Sequence, residues 1–101
     1  MTSKSWDEDK CQANIDKHGI DFANIQAVFT NPIVERVDDR QDYGEVRIIL
    51  LGIIDNRVLS IVYTLRGSLC RIISARKANQ REQRTYHQSL ARRVGENEGS
   101  N

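Results

Sequence analysis

Three segments rich in Ile, Leu and Val follow one another in the second half of the chain, separated by short turn signals. Residues 45–53 and 57–64 flank Asp55-Asn56, a dipeptide typical of a tight hairpin turn. Arg66-Gly67-Ser68 then leads into a third segment, residues 69–74. This succession predicts three antiparallel strands, and it restricts the chain to folds built around such a sheet.

The turn at Asp55-Asn56 fixes which side chains lie opposite each other in the first hairpin. A two-residue loop there brings Arg47 opposite Thr64 and Glu45 opposite Arg66. Because side chains alternate between the two faces of a strand, Arg47 and Thr64 share one face of the sheet.

The second turn determines the position of Arg71. A two-residue loop at Arg66-Gly67 places Arg71 opposite Val62, on the same face as Arg47. Moving the loop to Gly67-Ser68 leaves the faces unchanged, whereas a three-residue loop would exchange the faces of the last strand.

The two faces of the predicted sheet differ in chemistry. The inner face is almost entirely apolar and is expected to pack on the helices; it holds Val46, Ile48, Leu50, Leu59, Ile61, Tyr63, Cys70 and Ile72. The outer face mixes apolar and charged residues; it holds Glu45, Arg47, Ile49, Leu51, Val58, Ser60, Val62, Thr64, Arg71 and Ile73.

Helices are predicted before and after these strands. The first begins at Ser5 or Asp7 and ends before Gly19, and the second begins at Asp21 and ends before Pro32. A short strand over residues 33–37 follows them. A third helix covers roughly residues 80–93, where Asn79 and Glu82 form a capping box. We therefore expect an α+β protein with one domain over residues 1–94 and a disordered polar tail over residues 95–101.

The charge is unevenly distributed along the chain. The net charge is +1, but residues 1–45 carry −5, residues 46–93 carry +8 and residues 94–101 carry −2. The strongly basic second half indicates an anionic ligand or an acidic partner.

Nothing in the sequence predicts a membrane segment or a metal site. No run of about 18 apolar residues occurs, and the polar N-terminus does not resemble a secretory signal, so we expect a cytoplasmic protein without membrane contact. Cys11 and Cys70 lack the spacing of metal ligands and are expected to be buried thiols. No cofactor is predicted.

The charged end of the outer face is compatible with one chemistry and with one simpler interpretation. Cleaving RNA without a metal requires positive groups on the phosphate and a base near the 2′-hydroxyl. In the simpler interpretation, which spacing alone favours, the face is only solvated and Glu45 and Arg66 form a cross-strand ion pair. The candidates for the chemistry are Arg47, Arg71 and Arg76 on the phosphate, Glu45 as base, and His18 or His87 as acid.

Several motifs occur together in an order typical of one protein family. They are Trp6-Asp7-x-x-Lys10-x-x-x-Asn14-x-x-Lys17-His18-Gly19-Ile20-x-Phe22, Val28-Phe29-x-x-Pro32, Glu45-x-Arg47, Val62-Tyr63-Thr64-x-Arg66, and Arg71-Ile72-Ile73-Ser74-Ala75-Arg76-Lys77-Ala78 with Glu82 and Tyr86. Over roughly residues 6–88 the chain closely resembles the BrnT family of type II toxin–antitoxin toxins.

The resemblance implies a RelE-like fold with two N-terminal helices, an antiparallel sheet of about four strands and a C-terminal helix. It also implies a metal-independent endoribonuclease that cleaves RNA, inhibits translation and is neutralised by a BrnA-like antitoxin. Operator DNA would be contacted only through the antitoxin. The protein itself would form a homodimer or a heterotetramer with the antitoxin. The matched positions expected to serve cleavage are Lys17, His18, Glu45, Arg47, Arg66, Arg71, Arg76 and Tyr86.

Two interpretations from other functional classes stay open. In the first, the protein is a catalytically inactive binding module whose partly apolar outer face holds an antitoxin or a second copy of the chain. In the second, the basic C-terminal helix binds DNA directly.

Overall fold

The structure, a computed structural model, describes residues 3–40, 42, 44–67 and 69–99, with side chains described between residues 5 and 93. Its elements are, in chain order, β1 (Ser3–Trp6), α1 (Glu8–His18), a 3-10 helix (Phe22–Thr30), β2 (Val34–Val37), β3 (Arg47–Ile54), β4 (Arg57–Arg66), β5 (Leu69–Lys77) and α2 (Gln80–Gly99).

The strands form one mixed five-stranded sheet in the order β1-β5-β4-β3-β2. Neighbouring strands are antiparallel except β1, which runs parallel to β5 and places Trp6 opposite Ile72. The α+β class is confirmed, whereas the expected sheet of about four antiparallel strands is wrong. The short polar segment of β1 pairs with β5 through its backbone, and a side-chain pattern does not reveal such pairing. The RelE-like description stays a prediction.

The N-terminal helices begin at the predicted caps. Helix α1 begins at the second of the two predicted starts. The carboxylate of Asp7 accepts hydrogen bonds from the backbone N–H groups of Asp9 and Lys10. The second helix is a 3-10 helix. Its buried residues Phe22, Ile25 and Val28 are spaced by three, which matches three residues per turn and keeps them on one face.

The main core lies between the inner face of the sheet and the N-terminal helices. Its buried members are Cys11, Phe22, Ile25, Val28, Leu50, Leu59, Ile61, Tyr63, Cys70, Ile72 and Ala75. Val28 packs so closely on Gly52 that a Cβ there would overlap with Cγ2 of Val28.

The core membership confirms the predicted inner face of the sheet except for Val46, which is 58% exposed. Cys11 and Cys70 are buried and form no disulfide.

Helix α2 packs on one half of the outer face and forms a second, smaller core. Tyr86 and Leu90 of α2 contact the sheet there, together with Val34, Leu51, Ile53, Val58 and Ala78. The helix extends to Gly99, beyond the predicted end, and so includes residues 95–99 of the segment expected to be a disordered tail. Residues 100 and 101 of that segment lie outside the described residues, and the assignment of residues 1–94 to one domain stays a prediction.

The strand register confirms the first predicted hairpin and shifts the second. Arg47 lies opposite Thr64, as expected. Arg66 pairs with Leu69, so Arg71 also lies opposite Thr64 and not opposite Val62. This register corresponds to the shifted position of the second loop, and Arg71 keeps the face that was predicted for it.

Candidate functional site

Helix α2 covers one half of the outer face, and the other half is called the open half. The open half carries a row of three side chains across β3, β4 and β5. Arg47, Thr64 and Arg71 lie directly opposite one another in this arginine row. Thr64 is fully buried and its hydroxyl donates to the carbonyl of Val46 at 2.6 Å. The side chains of Arg47 and Arg71 are 27% and 31% exposed, so both are partly accessible to solvent, although Nε of Arg47 is buried.

Carboxylates lie close to the arginine row. Glu45 Oε2 is 3.5 Å from Nη2 of Arg66, and Glu45 Oε1 is 3.9 Å from Nε of Arg47. Nη2 of Arg71 lies 3.7 Å from Oδ2 of Asp7. The Glu45–Arg66 contact expected from the register is present. These are long ion pairs, and such pairs on a protein surface contribute little to stability, about 0–1 kcal/mol.

A bulge in β5 places a further arginine on the same face. Arg71 and Arg76 are separated by an odd number of positions, which in a regular strand would put them on opposite faces. Tyr63 pairs with Ile72 while Val62 pairs with Ser74, so Ile73 is an extra residue. Arg76 therefore lies opposite Ser60 on the outer face.

Arg76 is held by the start of α2. Its Nη1 and Nη2 donate to the two oxygens of Glu82 at 2.8 and 2.9 Å. Glu82 also accepts from the backbone N–H of Asn79, while Asn79 Oδ1 accepts from that of Glu82, which completes the predicted capping box. The hydrogen bond between the two side chains raises the pKa of Arg76 and lowers the pKa of Glu82.

Arg76 lies four residues along the sheet from the arginine row, about 13 Å away at the usual rise per residue. A groove of about 440 Å³ opens beside it between α2 and the sheet, lined by Arg36, Leu51, Arg81, Glu82 and Thr85. From the sequence, Arg36 had no assigned role, and Arg81 belonged only to the basic C-terminal helix that was considered for DNA binding. Strand alternation within residues 33–37 places Arg36 on the same face as Val34, which packs under α2 in the structure.

The structure does not bring Lys17 and His18 to the arginine row. His18 ends α1 and lines a pocket of about 540 Å³ with Arg57, Leu59 and Lys77, which follow the inner-face side of the sheet. Lys17 is exposed and lines a groove between α1 and β5. The candidate acid His18 is therefore separated from Glu45 by the sheet. The other candidate, His87, is exposed on α2 against the ring of Tyr86.

Tyr86 lies in the second core and not at the arginine row. Its side chain is almost fully buried, and its hydroxyl donates to the carbonyl of Pro32 at 2.7 Å. Burial raises its pKa. Trp6 and Tyr63 also pack in the core: the Trp6 ring meets Phe22 edge-on, and the Tyr63 hydroxyl donates to Glu35.

The arrangement can therefore bind an anion at the arginine row, with a carboxylate beside it. Within the part of the chain that the structure describes, no three His, Cys, Asp or Glu side chains are grouped so as to hold a metal ion. In the same part, no helix combines the length and apolar character needed to cross a bilayer.

Comparison with known proteins identifies one family. The family described as "Ribonuclease toxin, BrnT, of type II toxin-antitoxin system" matches residues 6–82, which include every element from the end of β1 to the start of α2. No curated protein matches the chain.

Proposed function

The chain belongs to the BrnT family of ribonuclease toxins of type II toxin–antitoxin systems, and we propose that it cleaves RNA at the arginine row without a metal ion. One observation carries this proposal. Arg47 and Arg71 lie in one row on the open half of the outer face, on strands that hold them rigidly. Guanidinium groups fixed in this way provide paired donors for a phosphate.

The proposed reaction uses the 2′-hydroxyl of the RNA as its nucleophile. The 2′-oxygen bonds to the adjacent phosphorus, and the bond from phosphorus to the 5′-oxygen breaks. The proton of the 2′-hydroxyl goes to a base, and the leaving 5′-oxygen takes a proton from solvent. The products carry a 2′,3′-cyclic phosphate and a 5′-hydroxyl, and no water is consumed in this step. Negative charge grows on the phosphate oxygens in the transition state, and Arg47 and Arg71 stabilise that charge.

Glu45 is the proposed general base for the 2′-hydroxyl. It lies at the end of the arginine row, 3.9 Å from Arg47, and its second oxygen is oriented by Arg66 at 3.5 Å. A carboxylate in this position would accept the proton while the adjacent arginines hold the phosphate. Arg66 acts through Glu45 and is a positioning residue.

The remaining predicted positions receive other roles in this proposal. Arg76 holds the start of α2 on the sheet, because both of its terminal nitrogens donate to Glu82. Tyr86 holds α2 on the sheet through Pro32. Lys17 and His18 take no part in the chemical step, because His18 lines a pocket on the inner-face side of the sheet and Lys17 lies in a groove at the edge of β5, away from the arginine row.

A BrnA-like antitoxin is the proposed partner of the end of the sheet that carries the arginine row. Val46 and Leu65 flank that row in sequence and are 58% and 48% exposed, and Val37 is 56% exposed; strand alternation places these three residues on the inner-face side of that end. Apolar side chains beside arginines suit a protein partner that brings both apolar and acidic residues. Covering this surface would block RNA, while operator DNA would be contacted by the antitoxin. The same exposed residues also favour the alternative of an inactive binding module.

The test is RNA cleavage in excess chelator by the wild type, Arg47→Ala and Arg84→Ala. Arg84 is an exposed arginine of α2, so its variant controls for the loss of one positive charge. We expect the wild type to leave 5′-hydroxyl ends, a 2′-O-methyl substrate to resist cleavage, and Arg47→Ala to cleave about 100-fold more slowly.

Each contrary result removes a different part of the proposal. Loss of cleavage in chelator would overturn metal independence. An unchanged rate in Arg47→Ala would overturn the assignment of the arginine row. A folded wild type that binds its antitoxin but cleaves no RNA would establish the binding-module alternative.

A further inference from the structure

A groove between α1 and β5 carries positive charge that the proposed chemistry does not use. Its volume is about 230 Å³, and its walls include Lys10, Lys17 and His18 from α1 and Ile73 and Ser74 from β5. No carboxylate is found among the described residues that line it.

The two lysines are presented together by the helix. Lys10 and Lys17 are seven residues apart, which is close to two turns, so both side chains lie on one side of α1 with about 10.5 Å between their positions. Both residues are exposed, and neither forms an ion pair with a described residue. Their charges are therefore available to a ligand.

The side-chain amide of Asn14, which lies between the two lysines in the helix, already has hydrogen-bond partners within the protein. The side-chain amide of Asn14 donates to the carbonyls of Ala75 and Ile20 and accepts from the N–H of Ala75, at 2.8 to 3.1 Å. The pairing of β5 with β1 ends at Ile72. Beyond that residue, the Asn14 amide makes the backbone hydrogen bonds at Ala75 that a neighbouring strand would otherwise make. Three hydrogen bonds therefore hold the floor of the groove, and Lys10 and Lys17 supply positive charge to its lining.

The groove is continuous with the proposed catalytic surface. Ser74 lines it and also lies opposite Val62, on the outer-face side of β5 between Arg71 and Arg76. The bulge at Ile73 forms the same stretch of wall. A strand bound at the arginine row therefore has a route over the edge of β5 towards α1.

We propose that the α1–β5 groove is a second phosphate-binding subsite, which holds the RNA strand outside the scissile bond through Lys10 and Lys17. The inference rests on the proposed function, since it assigns the ligand as single-stranded RNA. An acidic peptide fits less well, because Ala13 and Ile73 are the only apolar side chains among the described lining residues and a peptide normally needs larger apolar contacts.

The experiment measures the affinity for an uncleavable 2′-O-methyl single strand over a series of salt concentrations. For single strands, each phosphate contact contributes about 0.7 to the slope of log affinity against log salt. We expect Lys10→Ala/Lys17→Ala to bind more weakly and to reduce that slope by about 1.4. Lys10→Arg/Lys17→Arg keeps the charges and should retain the wild-type slope.

A matched control removes two positive charges elsewhere. Arg84→Ala/Arg92→Ala changes two exposed arginines of α2 and should keep the wild-type slope. An equal loss in this control, or an unchanged slope in Lys10→Ala/Lys17→Ala, would overturn the subsite. Weaker binding of the antitoxin with unchanged binding of RNA would also overturn it and would favour the acidic peptide.

Failure of the subsite is distinguishable from failure of the proposed function. If the wild type cleaves RNA and the lysine variant shows the wild-type slope, the subsite alone is wrong. If the folded wild type neither binds nor cleaves RNA, the proposed function is wrong and the subsite falls with it.

Discussion

The two halves of the outer face differ in how they hold their arginines. In the half that α2 covers (the covered half), Arg76 makes two hydrogen bonds of 2.8 and 2.9 Å to Glu82 at the start of that helix, while its side chain stays 42% exposed. In the open half, Nη2 of Arg71 lies 3.7 Å from Oδ2 of Asp7. Bidentate pairs of arginine and carboxylate are strong and directional, whereas a long pair yields easily to another anion. The same residue type therefore fastens a helix in one half and is the proposed phosphate-binding group in the other.

This difference separates stability from activity. Substitutions in the covered half and along the adjoining part of β5 are expected to lower the free energy of unfolding. Substitutions in the open half are expected to slow cleavage while the fold remains intact. Each of the following variants tests one side of this division, beginning with the largest expected effect on stability.

Asn14→Ala tests the support of the part of β5 that carries Arg76. The substitution removes the hydrogen bonds to Ala75 and Ile20 and leaves buried backbone groups unpaired. We expect the free energy of unfolding to fall by about 3 kcal/mol, measured by urea denaturation. Gln12→Ala removes an exposed amide from the same helix and should lower the free energy of unfolding by less than about 0.5 kcal/mol. Equal losses in the two variants would contradict the role assigned to Asn14.

Tyr86→Phe tests whether Tyr86 supports the covered half or takes part in cleavage. It removes one hydrogen bond to Pro32 and leaves the ring in the second core. We expect a loss of about 1 kcal/mol in the free energy of unfolding, and an unchanged cleavage rate per folded molecule. A large loss of cleavage at unchanged stability would instead support the role in cleavage that the family resemblance implies for this residue.

Double-mutant cycles compare the two ion pairs directly. The pair Arg76–Glu82 should show a coupling of about 0.5–1 kcal/mol in the free energy of unfolding, since it is bidentate but partly exposed. The pair Arg71–Asp7 should show a coupling near zero, because its atoms are farther apart. Equal couplings would remove the proposed distinction between the two halves.

The contribution of the Arg76–Glu82 pair to the free energy of unfolding is expected to depend on pH. The hydrogen bond from Arg76 lowers the pKa of Glu82 in the folded state below the value that a glutamate has in the unfolded chain. Above that value the carboxylate is ionised in both states and its stabilisation is fully present. As the pH falls through the lowered pKa, the stabilisation is lost. The difference in unfolding free energy between wild type and Glu82→Gln should therefore be constant near neutral pH and shrink in acid.

Strand alternation predicted much of the site. The register of the Asp55-Asn56 hairpin placed Arg47 opposite Thr64, and both turn residues adopt the positive φ angles that such a loop requires. The face of Arg71 was also correct, because shifting a two-residue loop by one position does not change the parity of the next strand.

Other features had no signal in the sequence. The bulge at Ile73 decides the face of Arg76, and a single extra residue within an apolar segment leaves no mark in the pattern. The pairing of β1 with β5 uses backbone groups alone. The separation of His18 from Glu45 depends on which side of the sheet α1 packs, and motif order along the chain does not contain that information.

The central claim is that the open half of the outer face performs the cleavage. It is tested most directly by comparing Arg71→Ala with Arg76→Ala in one assay, as cleavage rate per folded molecule in excess chelator. We predict that Arg71→Ala loses about 100-fold in rate with its melting temperature unchanged, whereas Arg76→Ala loses less in rate and more in stability. A wild-type rate in folded Arg71→Ala would contradict the claim.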